Sequence, residues 1–153
     1  MQKVKLEAFH IIGIAVRTSN EGGQGAQAIG QLWNRFLSEG IADKIPNKMD
    51  NTVYSLYTDY EGDHTQPYTA VLGCKVSTLA TIPQGMLGKS FDANTYEKIP
   101  VKGDLTQNVI YNAWLKIWDM NLDRKYSVDF EVFGEKAQNP QNAEVDIFIS
   151  LKE

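Results

Sequence analysis

Residues 126–136, YSVDFEVFGEK, decide how the rest of the chain is read. Apolar and polar residues alternate, and Val and Phe dominate, which is the pattern of a β-strand. A period of two puts Val128, Phe130 and Val132 on one face and Asp129, Glu131 and Phe133 on the other. The first face is core. The second sets a carboxylate beside a large aromatic in mid-strand. Glu131 is therefore either a solvated strand residue or an acid held in an apolar pocket.

Working outward, EKAQNPQN (135–142) reads as the turn after this strand, and AEVDIFISLK (143–152) as its return, with Val145, Ile147, Ile149 and Leu151 pointing one way. Upstream, Asp104 is placed to N-cap a helix from about Leu105 to Met120, whose stripe is Val109, Ile110, Ala113, Trp114 and Ile117. Residues 86–92 read as a strand, and ANTYEKIPVKGD (93–104) as a connection.

The first half repeats this plan. A strand is expected over about 6–18, then a loop, TSNEGGQG, and a helix over about 26–38 with Ile29, Trp33, Phe36 and Leu37 at helical spacing. TVYSLYTDY and YTAVLGCKVS are two strands joined by EGDHTQP. Each helix carries a Trp near its middle, Trp33 and Trp114. LYTDYEGD and DFEVFGEK both close a strand with aromatic, acidic and glycine residues. The expected fold is α+β: two βαββ units related by a pseudo-twofold, with antiparallel sheets, helices packed on them and a central cleft. One domain spans 1–153, with repeats of about 1–80 and 81–153.

Composition excludes several functions. The 153 residues are 42% hydrophobic and 22% charged, an ordinary globular balance, with a net charge of −4. An acidic chain without a basic stripe argues against nucleic-acid binding. No stretch approaches the length of a membrane-spanning helix, and the apolar run near the start, interrupted by Glu7 and His10, reads as a strand rather than a leader. Cys74 stands alone in a strand pattern, which fits a small core residue and a reducing, cytoplasmic setting.

Catalytic signatures are thin. His10 and His64 lack metal-ligand spacing, so neither a metal nor a cofactor is expected. No nucleophile elbow or phosphate loop occurs, and GGQG (22–25) lacks the dinucleotide spacing. EGD (61–63) and DRK (123–125) read as solvated turns. Trp33 and Trp114 read as core.

In their order along the chain, FHIIGIAVRTSN, YTDYEGD, YTAVLGCKV, IPQGMLGKSF, VIYNAWLKIW, DFEVFG and AEVDIFISLK resemble the GyrI-like effector-binding domain, also the ligand-sensing part of AraC- and MerR-type activators. The chain particularly resembles the stand-alone versions, including the integron-associated effector-binding proteins. The resemblance implies a ligand cleft between the two halves and an acid among aromatics that binds lipophilic cations. On DFEVFG, that acid is Glu131. Phe133 shares its face, and Tyr54, Tyr57, Tyr96, Tyr111 and Trp118 are further candidate walls. Some relatives hydrolyse small electrophilic, cyclopropane-bearing compounds, for which Glu131 would be the general base. Others act on DNA gyrase, and cousins of the fold bind tetrapyrroles, though neither histidine is well placed to ligate haem.

The physics suits the cation reading. A carboxylate attracts a cation more strongly where the dielectric is low, and aromatic faces add about 0.5–2 kcal/mol each. An empty site must meanwhile keep the acid hydrogen-bonded, for instance by a tyrosine hydroxyl, and its pKa raised.

Overall fold

The strand at the centre of the reading is bordered on both sides. In the computed structural model, which describes all 153 residues, β7 (Val128–Phe133) pairs antiparallel with β3 (Val53–Thr58) on one side and β8 (Ala143–Ser150) on the other. An interior strand covered on both faces has no wet side, and Asp129 and Glu131 are both buried.

Around it run β1 (Gln2–Leu6), β2 (Phe9–Thr18), β4 (Tyr68–Val76), β5 (Leu87–Phe91) and β6 (Asn94–Gly103), completing one eight-stranded antiparallel sheet in the order β1-β6-β8-β7-β3-β4-β2-β5. Laying β5–β8 on β1–β4 turns this order into its own reverse, as a pseudo-twofold at the β3–β7 join requires. The α+β fold expected from the sequence is thus present, with the two sets of strands joined into a single sheet.

Three helices lie on the sheet: α1 (Gln24–Ser38), the short α2 (Ile41–Lys44) and α3 (Val109–Trp118). Leu32 and Phe36 of α1 pack on Ile12, Ile14, Leu72 and Cys74, and Trp114 and Ile117 of α3 pack on Ile99, Ile147 and Ile149. Cys74 is a buried core residue, as expected. Strand parity sends Val128, Phe130 and their neighbours to the opposite face, where the Phe130 and Phe148 rings stack at 4.9 Å. Val4 and Leu6 from one sheet edge and Leu87 and Phe91 from the other pack against that same cluster. The sheet therefore curls around it, and no helix is needed on that side. The helices are left to flank a gap above β3 and β7.

Several boundaries differ from the sequence reading. The strand expected over 6–18 breaks at Glu7 and Ala8, and β1 crosses to pair with β6 of the second half. Residues 94–103, read as a connection, form the long strand β6. Pro100 disguised it, since proline interrupts a ladder. Here β1 reaches only to Lys98, so the missing N–H lies beyond the end of the neighbouring strand. The second helix starts later than expected. Asp104 caps a 3₁₀ turn (Leu105–Gln107) by accepting from the Thr106 N–H, and Asn108, at φ 58°, separates that turn from α3.

Gly13 faces Gly73 across β2 and β4. A Cβ on Gly13 would lie 2.0 Å from the Leu72 carbonyl oxygen and 2.7 Å from the Gly73 Cα. Both are backbone atoms in paired strands and cannot swing aside. Gly13→Ala is expected to destabilise the fold by about 3 kcal/mol, read as a lowered urea midpoint at unchanged slope.

Candidate functional site

The gap between α1 and α3 is a cavity of about 650 Å³ whose lining is mostly apolar. Trp33 and Ile29 come from α1, Ile110, Tyr111, Trp114 and Trp118 from α3, and Tyr57, Tyr68 and Phe133 from the sheet. Trp33 and Phe133 meet edge to face at 5.0 Å, and Tyr57 meets Trp114 in the same way at 5.5 Å.

Glu131 lies on the wall formed by the sheet, 3% exposed, opposite Ser55 and Ile147. The Tyr57 hydroxyl donates to its Oε2 at 2.8 Å, and the Trp114 indole N–H donates to the same oxygen at 2.6 Å. Ser55 Oγ donates in turn to the Tyr57 hydroxyl at 3.2 Å, orienting it. Both carboxylate bonds fall on Oε2, so Oε1 takes none from the protein. Burial raises the Glu131 pKa, the two donors oppose the rise, and the result is about 7. Burial likewise holds the Tyr57 hydroxyl well above its usual range, with the adjacent Glu131 charge adding to the effect, so it remains a donor.

This pKa makes the empty protein pH-sensitive. Glu131 binds its proton more tightly folded than unfolded, so its stabilising contribution is complete below the ordinary carboxyl pKa of 4.5 and is lost as pH rises toward about 7. The change is on the order of 3 kcal/mol. Urea unfolding from pH 4.5 to 8 is expected to show wild type losing stability by that amount relative to Glu131→Gln. Parallel curves would mean that Glu131 titrates normally.

A second buried acid lies two residues away. Asp129 is fully buried, and its Oδ2 accepts from Arg124 Nη2 and from the Tyr60 hydroxyl, each at 2.7 Å. Its Oδ1 accepts from the Ser150 backbone N–H at 2.9 Å and from Ser150 Oγ at 3.3 Å. Arg124 also stacks on the Tyr126 ring, 4.2 Å from its centroid. The DRK segment therefore is not a solvated turn at its centre. Arg124 is 6% exposed, because the Asp129 carboxylate draws it inward.

Of the sequence candidates, Glu131, Phe133, Tyr57, Tyr111 and Trp118 border the cavity. Tyr54 and Tyr96 do not. They lie in the Phe130 cluster on the opposite face, Tyr54 because it is three positions from Tyr57 in one strand and so has opposite parity. Trp33 and Trp114, read as core, line the cavity, and Trp114 is a direct partner of Glu131. Tyr60, Tyr68, His64 and Arg124 also line it. His64, which lacks metal-ligand spacing in the sequence, stacks on Trp118 at 5.2 Å. The signal that could have found Trp114 was its indole N–H, which needs a partner when buried. His10 is remote and bonds Ser90. No helix is long and apolar enough to cross a membrane.

Known proteins share this fold. An integron cassette protein from Vibrio cholerae is 25% identical, with a TM-score of 0.77 over 99% of this chain and 95% of that one. SAV2435, whose structure was solved bound to tetraphenylphosphonium, has the same fold at 17% identity, with a TM-score of 0.78 over 99% of this chain and 93% of its own. The transcriptional regulator BrlR of Pseudomonas aeruginosa is 28% identical over 156 residues, covering 97% of this chain but only 54% of BrlR. The sequence matches the family described as integron-associated effector binding protein over residues 4–151, and the chain belongs to that family.

Proposed function

We propose that this protein binds a hydrophobic cation in the cavity between α1 and α3, with Glu131 as its charge partner and Trp33, Tyr57, Trp114, Trp118 and Phe133 as walls. The observation that carries this reading is the carboxylate itself. It is buried in an apolar cavity, one oxygen is held by two donors, the other has no protein partner, and no cation of the protein pairs with it. Arg124, the cation bordering the same cavity, is paired with Asp129. A ligand cation arriving beside Oε1 would supply the missing charge, and the proton would leave Glu131 as it bound. The tetraphenylphosphonium carried by SAV2435 in the same fold supports that ligand class. That BrlR is a transcriptional regulator supports a link between this ligand site and the control of transcription.

The test is a fluorescence titration, since all three tryptophans line the cavity. Tetraphenylphosphonium at pH 8 is expected to quench or shift the emission saturably, and the neutral triphenylphosphine oxide to bind much more weakly. Equal affinity for the two would remove the cation from the reading. No saturable change with any lipophilic cation, checked by calorimetry, would remove the ligand class.

A further inference from the structure

The cavity has a second polar pole that binding a bare cation leaves unused. Arg124 reaches its lining from the residues just before β7, and only Nη2 is engaged, by Asp129. Nε and Nη1 are buried with no hydrogen-bond partner, and so is Nδ1 of His64, which borders the same cavity. Protein interiors rarely leave guanidinium donors unmatched, because a buried donor without an acceptor forfeits its hydration. The two free guanidinium donors mark a place where an acceptor belongs, and His64 Nδ1 joins them in the tautomer that carries its proton there. The Arg124–Asp129 pair is neutral overall, and Asp129 lies within reach of the same guanidinium. An anionic acceptor would be repelled by that carboxylate, whereas an uncharged carbonyl would not.

Resting on the cation reading above, we propose that Arg124 and His64 form an acceptor subsite, so that the preferred ligands are lipophilic cations carrying an uncharged carbonyl group, such as an amide or ester, on an arm extending from the cationic centre. Glu131 receives the charge and the guanidinium donates to the carbonyl oxygen. The Trp118 ring, stacked on the His64 imidazole, helps to wall the subsite. Such a ligand is held at two points, which selects among cations that an apolar cavity alone would treat alike.

Alkyltriphenylphosphonium ions with arms of increasing length test this, each compared with the same arm ending in a primary amide and in a carboxylate. At one arm length the amide is expected to bind about tenfold more tightly than its alkyl match. The chain has three arginines, so the Arg124 Nε–H signal is readily assigned by ¹⁵N NMR, and it should move downfield with the amide ligand and not with the alkyl one. Arg124→Lys, which keeps the charge facing Asp129, should bring the ratio of amide to alkyl affinity close to one. The NMR readout uses the wild type, so it decides the matter even if that variant fails to fold. Alkyl compounds that bind, with amides no better and Nε–H unmoved, overturn the subsite and leave the cation reading standing. A gain for the carboxylate arm alone overturns the uncharged-acceptor assignment. If no compound binds, the alkyl ones included, the cation reading falls and the subsite with it.

Discussion

Glu131→Gln is expected to bind tetraphenylphosphonium at least about tenfold more weakly than wild type at pH 8, a loss of about 1.4 kcal/mol or more. The substitution keeps the shape of the side chain and still offers Tyr57 and Trp114 an oxygen to donate to, so the cavity should persist. What it removes is the charge, in a place where 3% exposure leaves little water to screen it. The pH dependence is the sharper signature. A permanent cation requires the ionised acid, and the empty acid titrates near 7. Wild-type affinity should therefore rise with pH below that value, from about the variant's level at low pH, and level off above it, whereas the variant should show a flat profile. Triphenylphosphine oxide serves as the control, since a neutral ligand should bind wild type and variant alike. If the variant binds the cation as tightly as wild type at pH 8, Glu131 is not its charge partner.

The largest effect on stability is expected two residues earlier. Asp129→Asn leaves the Arg124 guanidinium buried without its counter-charge, in a position where little solvent reaches it. Breaking one side of a buried pair costs about 3–5 kcal/mol, mostly from the charge left behind. The Tyr60 and Ser150 hydrogen bonds to the same carboxylate are weakened with it. Urea unfolding at pH 7 should show this loss for Asp129→Asn. The double variant Asp129→Asn with Arg124→Met should recover most of it, because no unpaired charge remains. A single variant within about 1 kcal/mol of wild type would mean that the guanidinium finds water, and that the pair is weakly coupled.

Much of this was legible in the sequence. Alternation in residues 128–133 places Asp129, Glu131 and Phe133 on one face whatever the strand packs against, because the strand period is a property of the backbone. The apolar stripes of α1 and α3 mark both helices, and the repetition of strand and helix patterns marks the duplicated unit. The sequence was less informative where local signals mislead. Pro100 made β6 look like a connection, since only the position where β1 ends makes that proline harmless. DRK looked like a turn, since only the fold brings Asp129 beside Arg124.

The cavity itself was decided by tertiary structure. An apolar wall and a packed core call for the same residue types at the same helical spacing, so the sequence could not separate Trp114 at the cavity from Ile117 in the core. Nor could it separate Tyr57 from Tyr54 as a wall until the helices were known to cover only one face of the sheet. Glu131 is a buried acid rather than a solvated one because α1 and α3 stand apart over β3 and β7, and because a tyrosine 74 positions away and a tryptophan 17 positions away both turn toward it. Strand parity is local and survives in the sequence. The gap between two helices depends on contacts between distant residues, and only the folded chain contains it.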